Sequence, residues 1–140
     1  MKFAACLLSV VSLAQANFRS GSVSTLEKFT HGKFVTRMKA PNRKGTVSSF
    51  FTYWDGPNFD PAEWNELDIE IVPSVEDSPF SMNMIYGDGT DKVESHSYAH
   101  NFDPLEDWHV YEMEWTPDYT SWSIDGHEVR HSTSDDSAAV

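Results

Sequence analysis

Cysteine is nearly missing from this chain. Cys6 is the single one among 140 residues, so no disulfide can form within the chain and the fold must rest on core packing. N-x-[ST] acceptor sites are missing too. Cations are scarce: 10 Lys and Arg stand against 22 Asp and Glu, and between Lys44 and Lys92 there is none, beside ten acids. Phosphate backbones and anionic lipid surfaces are held by clustered cations, so a net charge of −12 speaks against nucleic acid and membrane as partners. Long apolar runs are confined to the start, where Lys2, a run from Phe3 to Leu13 and Ala14-Gln15-Ala16 follow one another. That run is too short to span a bilayer. It reads as a secretory signal peptide over residues 1–16, cut after Ala16 and taking Cys6 with it, which implies a secreted, extracellular protein.

A 3.6-residue apolar period is missing as well. The chain instead shows short alternating runs broken by turn residues, the pattern of an all-β sandwich. Strands are expected over 31–40, where Phe34, Thr36 and Met38 alternate with Val35, Arg37 and Lys39, and over 46–54, rich in β-branched and aromatic residues. Further strands are expected at 63–72, 80–86, 92–100 and 108–115, with "GDGTD" as a turn. A closing hairpin is expected around Asp125-Gly126, a pair that suits a type I′ turn.

What the chain does have is concentrated in "EWNELDIEIV", residues 63–72. On a helix Asp68 would point away from Glu66 and Glu70. On a strand, residues two apart share a face, so Trp64, Glu66, Asp68 and Glu70 line one side while Leu67, Ile69 and Ile71 bury the other. A slip of one residue would bury three carboxylates, which pins the register. The aromatics Phe50, Phe51, Tyr53, Trp54, Phe59 and Trp64 crowd the same acidic block. Acids beside aromatic faces suit a neutral polyhydroxyl ligand such as a sugar. Spacing alone leaves three readings open: an ordinary acidic face, a cation site, and a pair of carboxylates that hydrolyses a glycosidic bond. For retention of configuration such a pair stands about 5–5.5 Å apart. Positions four apart on a strand lie about 13 Å apart, so the two glutamates must lean together or the strand must curve. Asp68 between them would stagger their pKa values. The histidines His31, His96, His100, His127 and His131 have no metal-ligand spacing, and no metal is expected from them.

"NELDIEI" resembles the Glu-x-Asp-x-Glu signature of glycoside hydrolase family 16, in its lichenase- and laminarinase-like β-glucanase branch. "HGKFVTRMKAPNRKGTVSSFFTYWDGP" is similar to the stretch leading into that signature, and "DWHVYEMEWTPDYTSWSIDGHEV" to the Trp-His-x-Tyr…Trp…Asp-Gly block beyond it. The resemblance covers about residues 20–131, in the family's order. It implies a concave, concanavalin A-like jelly roll whose cleft holds a β-glucan, cut internally with retention. By the same resemblance Glu66 matches the nucleophile, Asp68 the assisting aspartate and Glu70 the acid/base. Trp64 matches a sugar-stacking aromatic, Phe51 and Tyr53 match cleft aromatics, and Asn83 matches a polar sugar contact. Core packing is the competing role for Phe51 and Tyr53, and the expected one for Trp108, His109 and Trp115.

Ser22 and Ser24 stand where the glucanases often carry Glu and Arg. The chain also stops at Val140, so residues 17–140 are expected to form a partial catalytic domain and an incomplete sandwich. The segment that helps hold the family's structural calcium is expected to be missing, and no cofactor is expected. The implied function is a secreted retaining endo-β-glucanase acting on β-1,3-1,4- or β-1,3-glucan. The alternatives are a transglycosylase of the same family and an inactive glucan-binding remnant.

Overall fold

A computed structural model describes residues 19–58, 60–73, 80–87, 93–97 and 103–133. The stretch read as a signal peptide, residues 88–91 of the "GDGTD" turn and the ends of the chain lie outside the described residues.

Among the described residues, eight strands run in chain order: β1 (Gly32–Met38), β2 (Ser48–Trp54), β3 (Trp64–Ile71), β4 (Phe80–Gly87), β5 (Val93–Ser97), β6 (His109–Trp115), β7 (Tyr119–Ile124) and β8 (His127–Thr133). They form two antiparallel four-stranded sheets, β1-β6-β7-β8 and β2-β3-β4-β5. The expected all-β sandwich is what the chain adopts. The hairpin falls where the Asp-Gly pair placed it: Ile124 faces His127, and Asp125 and Gly126 have φ of 50° and 80°, both positive as a type I′ turn requires. The Asp125 carboxylate then accepts from the Val110 backbone N–H at 2.9 Å and meets His109 Nδ1 at 2.7 Å, tying the turn to the start of β6.

The apolar halves of the strands meet between the sheets. Leu67, Ile69 and Ile71 of β3 and Phe80, Met82 and Met84 of β4 pack against Tyr111, Met113, Trp122 and Ile124 of the opposite sheet. Each fully buried side chain of this size contributes roughly 1.5–3 kcal/mol of transfer free energy. Trp115 is partly buried against this core, as expected. Trp108 is not: it is 51% exposed, its ring under the Arg37 guanidinium at 5.0 Å. It has the parity of Val110, Glu112 and Glu114, opposite to the buried Tyr111 and Met113, so the alternation of this segment turns it outward.

Two contacts lock the sheets together. The buried Trp122 indole donates to the Asp68 carbonyl at 3.3 Å, and Arg130 donates to the Met82 carbonyl at 2.9 Å while lying 4.5 Å from the centre of the Trp122 ring. Arg130 reaches that place through a β-bulge. The β7–β8 register shifts between Trp122 and Ser123, so Arg130 rather than Val129 stands opposite Trp122.

The loop from β2 to β3 is set by one glycine. Gly56 is buried with φ +73°, and a Cβ there would lie 2.2 Å from Glu63 Oε2. Around it, Asp60 N–H donates to the Asp55 carbonyl at 2.7 Å, and Asp60 Oδ1 caps the 3₁₀ turn Pro61–Glu63 by accepting from Ala62 N–H at 2.9 Å. Gly56→Ala is expected to cost about 1–2 kcal/mol, the strain of a left-handed backbone at a residue with a Cβ. Glu63 can swing aside, so the loss should persist in a Glu63→Ala background. Urea midpoints of the single and double variants check this, and a loss that vanishes without Glu63 would show that overlap, not backbone strain, sets the requirement.

Candidate active site

β3 is an interior strand, and its two neighbours decide what surrounds its acids. On the β2 side Tyr53 stands opposite Glu66, Phe51 opposite Asp68 and Ser49 opposite Glu70. On the β4 side the partners are Ile85, Asn83 and Ser81. Antiparallel partners share a face, so all seven residues of the sequence-predicted site come together on the side of the sheet away from the core. Phe51 and Tyr53 are 45% and 47% exposed there. Core packing is thereby ruled out for them. Tyr53 and Trp64 approach at 6.3 Å between ring centres, tilted by 56°.

The three carboxylates are not equivalent. Glu66 and Glu70 are half-buried, whereas Asp68 is 3% exposed. Each has a neutral N–H donor. The half-buried Trp64 indole gives its N–H to Glu66 Oε2 at 3.0 Å. Asp68 Oδ1 accepts both the backbone N–H of Asn83 at 3.2 Å and its side-chain amide at 2.7 Å. The same amide nitrogen reaches Glu70 Oε2 at 3.4 Å. Asp68 and Glu70 therefore converge on one nitrogen despite their spacing along the strand. The donors occupy oxygens that a cation would need, and among the described residues no three His, Cys, Asp or Glu are placed to hold a metal ion.

Burial pushes the Asp68 carboxyl up to about 7, with the charge of Glu70 adding and the Asn83 amide opposing. Burial also raises Glu66, against the pull of the Trp64 N–H, and Glu70 adds to the rise. A row of three acids on a half-buried face thus keeps a proton near neutral pH, and that proton belongs first to Asp68. A site that holds one carboxyl neutral beside carboxylates can both donate a proton and attack, the two halves of glycosidic cleavage. The Trp64 N–H is the group that opposes the rise of Glu66 and favours its charged form. Trp64→Phe keeps a ring but removes that donor. It is expected to move the acid limb of kcat/KM to higher pH with KM changed by less than about threefold. A large rise in KM with an unmoved limb would assign Trp64 to sugar contact alone.

Sequence reasoning did not find the Asn83 bridge, nor Trp122 and Arg130 behind the row. A regular two-residue hairpin would have set Val129 opposite Trp122, and nothing in "GHEVRHS" announces the bulge.

The family model for glycosyl hydrolases family 16 matches residues 4–140. A beta-glucanase from Fibrobacter succinogenes is 37% identical over 130 residues, which are 91% of this chain and 37% of that protein. A solved prokaryotic beta-1,3-1,4-glucanase (lichenase) derived from a mouse hindgut metagenome is similar with a TM-score of 0.63 at 34% identity, over 79% of this chain and 49% of that one. The Crh5 transglycosylase is similar with a TM-score of 0.57 at 30% identity, over 78% and 42%. This chain therefore spans between about a third and a half of each of these relatives.

Proposed function

Because the chain belongs to glycoside hydrolase family 16, we propose that it hydrolyses a β-glucan internally, with retention, through a covalent glycosyl-enzyme. The observation that carries this reading is the acid row itself: Glu66, Asp68 and Glu70 on one face, a neutral donor on each, and exposed Phe51 and Tyr53 beside them. Glu66 is the attacking carboxylate, Glu70 protonates the leaving oxygen and later activates water, and Asp68 tunes both. Trp64, Phe51 and Tyr53 offer ring faces to the pyranose, whose C–H faces stack on aromatics. The similarity to a lichenase and a beta-glucanase supports β-1,3-1,4-glucan as substrate, with β-1,3-glucan the alternative.

The test is release of reducing sugar from mixed-linkage glucan and from laminarin by the purified chain, with the product anomer read by NMR before mutarotation. First-formed β-anomer supports the reading, and α-anomer sinks it. The likeness to a transglycosylase favours a second outcome, in which added oligosaccharide acceptors are elongated faster than water reacts. Bound glucan without turnover would instead mark a binding protein. Secretion is part of the proposal and rests on the leader-like first sixteen residues. Exported protein should begin at Asn17, and N-terminal sequencing that finds Met1 on it would overturn that part.

A further inference from the structure

We propose that Asn83 is a positioning residue, whose side-chain amide clamps Asp68 and Glu70 together for proton donation instead of contacting the sugar. The inference rests on the reading of Glu70 as acid/base, and goes beyond the sugar-contact role implied by resemblance. Asn83 is 8% exposed, which leaves it little surface to offer a ligand. Its Nδ2 has two hydrogens, and two carboxylates stand in reach: Asp68 Oδ1 at 2.7 Å and Glu70 Oε2 at 3.4 Å. The backbone N–H of Asn83 makes a separate bond to the same Asp68 oxygen at 3.2 Å. That bond survives any side-chain substitution except proline, so Asp68 stays tethered to β4 when the amide is removed. What is lost is the amide's own bond to Asp68 and, with it, the link to Glu70.

The chemistry of the clamp follows from its neighbours. Both amide bonds land on oxygens that carry negative charge when ionised, and hydrogen bonds to the charged form favour it. On its own strand Asp68 faces Glu66 and Glu70. β2 sets Phe51 opposite it and Tyr53, a phenol, opposite Glu66. β4 sets the neutral Asn83 opposite it. Behind the strand the opposite sheet presents the Trp122 indole with Arg130 over its ring. No cation stands among these partners on the site face, so the amide is the group that offsets repulsion between Asp68 and Glu70. Without it the two carboxyls separate, and protonation of Asp68 becomes easier.

The experiment compares wild type with Asn83→Ala and Asn83→Ser, the latter keeping a polar group too short to bridge. On glucan, kcat should fall about 10–100-fold, KM should change by less than about threefold, and the acid limb of the profile should move to higher pH. On an aryl glycoside whose leaving group departs unassisted, the loss should be less than about fivefold. A raised KM with kcat unchanged would make Asn83 a sugar contact. Equal losses on both substrates with an unmoved pH limb would make it a structural residue; either result overturns the proposal. Carboxyl ¹³C titration by NMR separates this from failure of the functional reading: in Asn83→Ala the Asp68 carboxyl should titrate at higher pH even if glucan is never cut. An unchanged Asp68 titration sinks the clamp whatever the activity. If Asn83→Ala does not fold, Asn83→Ser is read by the same criteria.

Discussion

A chain carrying Glu66→Ala is expected to release no reducing sugar from β-glucan, because no glycosyl-enzyme can form without its carboxylate. Glu70→Ala should lose about 10²–10⁴-fold on glucan, the usual contribution of a general acid. On an aryl glycoside with a good leaving group its loss should be far smaller. Azide distinguishes the two roles. In Glu70→Ala it attacks the covalent intermediate and gives the β-glycosyl azide. In Glu66→Ala it enters from the vacated side and gives the α-azide. The same azide anomer from both variants would overturn the role assignment, and wild-type turnover in both would remove the site from β3. The positions that decide this lie four residues apart on one strand, with Asp68 between them.

Asp68→Asn is expected to stabilise the fold while lowering activity. The sign follows from the raised carboxyl. Unfolded, an aspartate titrates near 3.9; folded, Asp68 titrates at about 7. Between those values the folded chain holds a proton that the unfolded chain has released, so stability falls as pH rises from about 4 to about 7 and levels off above. An asparagine has no such cost. It keeps an acceptor oxygen for both Asn83 N–H groups and places its own NH₂ where Asp68 Oδ2 stood. The gain from the substitution should be absent near pH 3, grow across that window, and reach at most about 4 kcal/mol above it, by the rule of 1.36 kcal/mol per unit of pKa. Urea titrations at several pH values, with an unchanged m-value, measure it. A stability difference that is flat with pH, or a destabilisation at pH 8, would show that Asp68 is not held protonated by burial. Turnover should fall less than in either glutamate variant.

Much of this was legible in "NELDIEI" because the side-chain period of a strand is two and only one register keeps three carboxylates out of the core. The buried Leu67, Ile69 and Ile71 then placed the row on the opposite face. The Asp-Gly pair gave the hairpin for an equally local reason, the need for two positive φ values. Phe51 and Tyr53 were ambiguous, since an aromatic on an alternating strand serves either face; only pairing with β3 puts them beside the acids. Asn83 was placed by resemblance on the site, but its partners depend on which residue of β4 meets Asp68, a contact across fifteen positions of chain. Trp108 was misread because its aromatic character was weighed above its parity, which sets it with Glu112 and Glu114 rather than with the buried Tyr111 and Met113. The family likeness reaches back to residue 4, further than the start near residue 20 visible in the motifs.

The Trp122–Asp68 and Arg130–Met82 bonds have a dynamic consequence. Sheet amides normally exchange with solvent through openings whose size reflects how independently each layer can move. Here the carbonyls of β3 and β4 that lie under the acid row are held by side chains of β7 and β8. Peeling β7 away breaks a bond to Asp68 itself, so the two layers share one opening event and their slowest amides should exchange with a common free energy. On the proposed reading, adjustment to a glucan falls to the rim, where the Gly56 loop delivers Trp64 to the row.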